Sequence, residues 1–136
     1  MPKLAYDLEI YSFQIDFARH VSNIVYIEWM EIGRLQLLKA MGMPIDQIAA
    51  EGFHPVLVET QISYKQPFHL GEAVHGQLWV SELAKVSIWL EFTFSDDDGT
   101  IRAAGRQRGL FVDSATGRPK RLTAEQAAIL ERFRDV

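Results

Sequence analysis

The sequence predicts an α+β fold in which a curved antiparallel sheet surrounds one long apolar helix. Three observations carry that prediction. A helical apolar pattern runs from Ile24 to Met41 with few polar interruptions. The hydrophobic period then changes to two and stays there through four segments between Val56 and Val112. Tight turns join those segments, which implies antiparallel pairing.

The elements follow in order. Leu4 to Ile15 alternates loosely and is rich in Tyr, Phe and Ile, so a strand is expected. Asp16 to Asn23 is a polar-interrupted connection, and Ser22 or Asn23 is suited to cap the helix that follows. In that helix Val25, Trp29, Ile32, Gln36 and Leu37 form the apolar stripe, widened by Tyr26, Met30, Leu38 and Met41. Glu31 and Arg34 are three apart and can pair. Gly42 is a candidate C-cap and Pro44 a stop, with a short helical piece from Pro44 to Ala50.

Four strands in meander order come next. In the first, Val56, Val58, Thr60, Ile62 and Tyr64 share one face and Leu57, Glu59, Gln61, Ser63 and Lys65 the other. Pro67 and Gly71 end it. Val74 to Val80, Val86 to Phe94 and Ile101 to Val112 supply the rest, with a hairpin turn at Asp96-Asp97-Asp98-Gly99. After a turn at Thr116-Gly117-Arg118-Pro119, Thr123 to Phe133 forms an amphipathic helix opened by a Thr123/Gln126 capping box. Trp79, Trp89 and Leu57 point away from the helix, which suggests further burial at a subunit interface. A homodimer or homotetramer is expected.

Composition bounds the function. The 136 residues fit one domain, 1–136. With 48% hydrophobic and 24% charged residues, the chain is an ordinary globular sequence rather than a disordered one. It has no cysteine, which removes disulfides, thiolate metal sites and cysteine nucleophiles. No signal-like start and no run of about 20 apolar residues is found, so a cytoplasmic protein with no membrane span is expected. The net charge of −4 argues against a nucleic-acid partner.

The segment from Asp16 to Trp29, Asp-Phe-Ala-Arg-His-Val-Ser-Asn-Ile-Val-Tyr-Ile-Glu-Trp, resembles the 4-hydroxybenzoyl-CoA thioesterase-like branch of the hotdog proteins. That branch typically reads Asp-x-x-Gly-His-Val-x-Asn-x-x-Tyr-x-x-Trp. Glu31 with Arg34, Tyr64-x-x-Pro67 before Gly71, and Thr116-Gly117-Arg118-Pro119 match further. The resemblance spans Ile10 to Leu122 and implies a five-stranded antiparallel sheet wrapped around the long helix. It also implies hydrolysis of an acyl-CoA at a subunit boundary. It puts the catalytic aspartate on Asp16 and the oxyanion donor on the helix-opening amides nearest Asn23. The chain departs from the pattern at Arg19, where glycine is usual. A cation there could narrow the pocket, turn outward or pair with Asp16.

The chemistry of these residues agrees. Thioester hydrolysis needs a base or nucleophile near the carbonyl carbon and donors aimed at its oxygen. A carboxylate can fill either role. A helix N-terminus supplies unpaired N–H groups and the positive end of the helix dipole. Fixed donors of that kind are worth roughly 3 kcal/mol each to an oxyanion. No metal or organic cofactor is required, and the scattered His54, His69 and His75 have no metal-binding spacing.

Other candidates are ranked behind Asp16. His20 could orient it, line the pocket or be structural. Glu31 is the alternative acid, though Arg34 favours an ion pair. Lys85, Arg118 and Lys120 are candidates for the CoA phosphates, with Arg121 nearby, since cations grip phosphate. Tyr26, with Phe17, Trp29, Met30 and Phe53, could line an acyl pocket or be core. The expected substrate is a small aromatic or medium-chain acyl-CoA. Alternatives are a thioesterase acting on acyl carrier protein, a non-catalytic acyl-CoA-binding module, and a hydratase, whose histidine motif is not found.

Overall fold

The computed structural model describes residues 3–135. Met1, Pro2 and Val136, included in the expected domain, lie outside the described residues. Strand β1 spans Leu4–Leu8, helix α1 Asn23–Ala40 and helix α2 Ile45–Ile48. Strands β2 Phe53–Tyr64, β3 Val74–Leu83, β4 Ser87–Ser95, β5 Ile101–Asp113 and β6 Pro119–Lys120 follow, then helix α3 Ala124–Glu131. All strands join one antiparallel sheet in the order β1-β3-β4-β5-β2, with β6 pairing the end of β5. The long helix packed on this sheet gives the hotdog arrangement that the resemblance implies.

Three sequence expectations are corrected. β2 does not continue a meander into β3 but pairs with β5, so it forms the far edge. The link from Tyr64 to Val74 contains Pro67 and Gly71 and is too long for a tight hairpin, unlike the turns before β4 and β5. β1 stops at Leu8, and the chain bends through a 3₁₀ turn at Ser12–Gln14 rather than staying extended to Ile15. The two-residue β6 raises the strand count from five to six.

The apolar face of α1 is rotated from the expected stripe. Val25, Tyr26, Trp29, Met30, Gly33, Leu37 and Leu38 are buried, whereas Ile32 and Gln36 are exposed. Gly33 explains the shift. A Cβ there would collide with the Tyr6 ring, whose hydroxyl donates to the Trp29 carbonyl at 3.0 Å. The missing side chain therefore lets β1 lie close against α1. Trp29, Met30, Phe68, Phe92 and Phe94 fill the core beneath the helix. Each contributes roughly 1.5–3 kcal/mol through burial.

A β-bulge at Val58 also changes a predicted face. Leu57 pairs with Gly109 and Thr60 with Gln107, so the extra residue turns Leu57 to the inner side. The outward tryptophans are half-buried, each with a cation from the same chain over its ring. The Lys3 ammonium lies 4.1 Å from the Trp79 ring centre, and the Arg106 guanidinium lies 3.9 Å from that of Trp89.

Candidate functional site

The connection before α1 folds into a small hairpin. Ile15 bridges Val21, the Asp16 amide donates to the His20 carbonyl at 2.8 Å, and the Ser22 amide donates to the Gln14 carbonyl at 2.9 Å. The half-buried Asp16 therefore sits on the same hairpin that delivers the start of α1. Its Oδ1 accepts the amides of Ala18 at 2.9 Å and His20 at 3.3 Å. Its Oδ2 has no protein partner among the described residues. One oxygen anchors the carboxylate and the other is unpaired.

Asn23 and Ile24 open α1. Neither amide has a protein acceptor among the described residues, and the Ser22 side chain does not cap the helix. The Asn23 carbonyl accepts the Tyr64 hydroxyl at 3.0 Å, which ties this end of the helix to the end of β2. Two unpaired donors at the positive helix end thus follow directly on the hairpin that anchors the Asp16 carboxylate.

The positive φ of 66° at Arg19 explains the glycine usual at that position. Arg19 is exposed and forms no ion pair with Asp16 among the described residues. His20 reaches Asp16 through its backbone amide, while its ring stands edge-on to His69 at 5.2 Å.

A charged cluster that sequence reasoning missed supports this hairpin. Arg102 binds Glu72 through Nη1 at 2.9 Å and Nη2 at 2.8 Å, Asp96 through Nε at 2.9 Å, and the Pro67 carbonyl at 2.9 Å. Glu72 in turn accepts the His69 amide at 2.7 Å and lies 3.0 Å from His69 Nδ1. The Phe68 carbonyl accepts the Val21 amide at 2.9 Å, so the fixed 67–72 segment holds the Asp16 hairpin in place. The Arg102 hydrogen bond holds the Glu72 carboxyl down at about 2. Strand periodicity carries no signal for a cluster drawn from three separate turns and strands.

The remaining candidates lie elsewhere. Tyr26 is buried on the inner face of α1, its hydroxyl accepts the Phe68 amide at 3.3 Å, and burial raises its pKa. Trp29, Met30 and Phe53 are also core, whereas Phe17 is fully exposed at 100%. Glu31 pairs with Arg34 at 3.3 Å, as expected, and Arg34 Nη1 donates to Gln107 Oε1 at 3.2 Å. Lys85 is exposed in the β3–β4 turn, and its carbonyl accepts the Leu122 amide. Arg118 is exposed, and Lys120 Nζ lies 5.1 Å from the Phe53 ring centre. These three cations sit near Phe53, Phe111 and Leu122, which pack with Leu38 at the C-terminal end of α1. Within one chain the structure does not bring them to Asp16.

A cavity of about 450 Å³ opens at that same end, between the C-terminal half of α1 and strands β2, β4 and β5. Its lining is aliphatic apart from Glu31, Arg34 and Phe111. Gln107, wholly buried at 0% exposure, adjoins it through Arg34 and donates to Thr60 Oγ1 at 3.2 Å. A polar residue on the inner face of β5 was a readable signal, because such residues rarely bury without a partner.

Known proteins match this architecture. Residues 13–130 match the profile of the thioesterase-like superfamily. YneP of Bacillus subtilis (strain 168), whose name provisionally assigns it acyl-CoA thioesterase activity, is 30% identical over 113 residues, 83% of this chain and 82% of its own. Among solved structures, Staphylococcus aureus SAV2348 in complex with CoA superposes with a TM-score of 0.90 at 14% identity, over 96% of this chain and 83% of its own. The DHNA-CoA thioesterase of Staphylococcus aureus gives 0.85 at 17% identity, over 96% of this chain and 88% of its own. With its hotdog sheet, its long inner helix and a profile match from residue 13 to residue 130, the chain belongs to the thioesterase-like superfamily.

Proposed function

We propose that this protein hydrolyses the thioester of a small aromatic or medium-chain acyl-CoA, with Asp16 as nucleophile or general base and the Asn23 and Ile24 amides as oxyanion donors. The observation that supports this reading is an anchored carboxylate with one free oxygen, on the hairpin that leads directly into a helix whose first two amides are unpaired. In one route Oδ2 attacks the carbonyl carbon, the oxyanion settles on the amides, CoA leaves as thiolate, and water opens the resulting anhydride. In the other, Oδ2 takes a proton from the attacking water. YneP and the CoA-bound SAV2348 support CoA as the carrier.

The proposal includes a second copy of the chain. β2 begins beside the C-terminal end of α1, where Phe53 packs with Leu38, and ends at Tyr64 beside the N-terminal end. Antiparallel pairing along this free edge swaps ends. The Asp16 hairpin of one chain then meets the cavity and the Lys85, Arg118 and Lys120 region of its partner. Phe13 at 82% exposure, Phe17 at 100% and Ile24 at 70% leave an apolar surface around Asp16 that such a partner covers. The cations then meet the CoA phosphates from across the boundary. We place the activity in the cytoplasm, which suits a chain without cysteine. No described helix is long and apolar enough to cross a membrane.

Replacing Asp16 by Asn tests the chemistry. An Asn oxygen can still accept the Ala18 and His20 amides, so the hairpin is expected to persist with an unchanged melting temperature. Hydrolysis across an acyl-CoA panel is expected to fall about a hundredfold or more. Undiminished turnover would remove Asp16 from the mechanism. Tight acyl-CoA binding by a wild-type protein that hydrolyses no thioester would identify a binding module instead, and turnover of acyl carrier protein thioesters alone would change the carrier.

A further inference from the structure

We propose that the cavity beside the C-terminal half of α1 receives a straight aliphatic acyl chain, and that Gly109 sets the length of chain it accepts. This deepens, and rests on, the reading of the protein as an acyl-thioester hydrolase. The inner face of β5 presents alternate residues to α1, and Ala103, Gln107 and Phe111 on that face are buried. Gly105 and Gly109 share it. A glycine in a strand interior weakens the strand, and its usual compensation is the close approach of a neighbour. Gly105 shows that compensation, because a Cβ there would meet the Met30 methyl at 2.9 Å and the Gln61 carbonyl at 2.8 Å. Gly109 does not. A Cβ there would touch only the Val56 carbonyl at 3.4 Å and Leu57 Cδ2 at 3.8 Å. The space in front of it is part of the cavity.

The chemistry of the walls selects the occupant. Leu37, Leu38, Leu57, Ile88 and Leu90 offer hydrocarbon, and a volume of about 450 Å³ falls within the roughly 300–1,000 Å³ of ordinary ligand pockets. Glu31 and Arg34 engage each other, and Arg34 also engages Gln107. Away from this pair the walls are hydrocarbon and offer a ring hydroxyl no replacement for its bonds to water, a cost that a plain alkyl chain does not meet. An aliphatic chain gains about fourfold in binding for each methylene buried.

The test compares wild type with Gly109→Val and Gly109→Leu. The kcat/KM values for butyryl-, hexanoyl-, octanoyl-, decanoyl-, benzoyl- and 4-hydroxybenzoyl-CoA are measured beside calorimetric titrations of decanoyl-CoA and of CoA itself. Gly109 does not have a positive φ, so both replacements are expected to fold, and the β-branched valine suits a strand. For wild type, kcat/KM is expected to climb about fourfold per methylene until the cavity is full. Both aromatic thioesters are expected to fall below octanoyl-CoA. Filling the space with leucine displaces about two methylenes, so the decanoyl-to-butyryl ratio is expected to drop about fifteenfold, and valine gives a smaller drop in the same direction.

A flat chain-length series, or a ratio unchanged in both variants, overturns the inference while leaving the hydrolytic reading intact. If no thioester is hydrolysed, the hydrolytic reading fails and the titrations still decide the cavity. Decanoyl-CoA binding more tightly than CoA to wild type but not to Gly109→Leu upholds it, and equal binding overturns it. A variant that loses its dimer without a change in the ratio assigns the cavity to a side chain of the second copy, and likewise overturns the inference.

Discussion

Arg19 holds a left-handed backbone, φ 66°, two residues before the pairing of the Asp16 hairpin closes. For a residue with a Cβ this conformation costs roughly 1–2 kcal/mol. The hairpin keeps it because Arg19 N–H donates to the Asp16 carbonyl at 3.0 Å and Asp16 Oδ1 holds the two flanking amides. Arg19→Gly is therefore expected to stabilise the protein by about 1 kcal/mol, part of the gain being offset by glycine's greater freedom when unfolded. Chemical denaturation of the two proteins measures this, and a destabilised glycine variant would show that the arginine side chain makes a favourable contact outweighing its strain. Asp16, His20 and Asn23 were singled out by the resemblance, whereas periodicity alone read Asp16 to Asn23 only as a polar-interrupted connection and not as a hairpin. What was not readable is that the carboxylate splits its oxygens between anchoring and exposure, which depends on backbone torsions and not on residue type.

At the scale of elements, α1, β3, β4, β5 and α3 follow from periodicity and capping, since Thr123 and Gln126 close their box as expected. The failures have physical causes. The bulge at Val58 reverses the face of Leu57, and strict alternation cannot anticipate an inserted residue. Gly33 shifts the buried face of α1 through a ring on β1 that is distant in sequence. The Arg102 cluster also depends on tertiary contacts, and its pH behaviour can be tested. The Glu72 carboxyl lies below its ordinary 4.5, at about 2. A depressed carboxyl stabilises the fold above its unfolded pKa and loses that contribution as pH falls through the folded value. Wild type is expected to exceed Glu72→Gln by about 1–2 kcal/mol above pH ~5, after discounting for the partial exposure of Glu72. The gap is expected to close as pH falls from about 4.5 toward about 2. Urea unfolding of both proteins across that range measures the gap, and one that persists at the acid end would mean that Glu72 acts by packing and not by charge.

At the scale of the molecule, antiparallel pairing and one inner helix were legible, but the strand order was not, because alternation says which face a residue takes and not which strand it meets. The proposed pairing depends on that order, since it leaves the twelve-residue β2 as a free edge running from the cavity end of α1 to the Asp16 end. A long edge with unpaired backbone groups is a template for another strand. Val58, the bulged residue, is 45% exposed on that edge. A two-fold axis would bring each Val58→Asp carboxylate toward its own copy, and like charges facing across a strand pair are destabilising. The variant is expected to sediment as a monomer where wild type sediments as a dimer, and its hydrolysis is expected to fall in step, because the separated chain keeps Asp16 but loses the partner's cavity and cations. Adding salt should restore part of both together, since screening weakens the repulsion between exposed charges. A wild-type monomer that hydrolyses at full rate, or a monomeric Val58→Asp protein with undiminished kcat/KM, would confine the whole site to one chain and remove the end-swapped pairing from the mechanism.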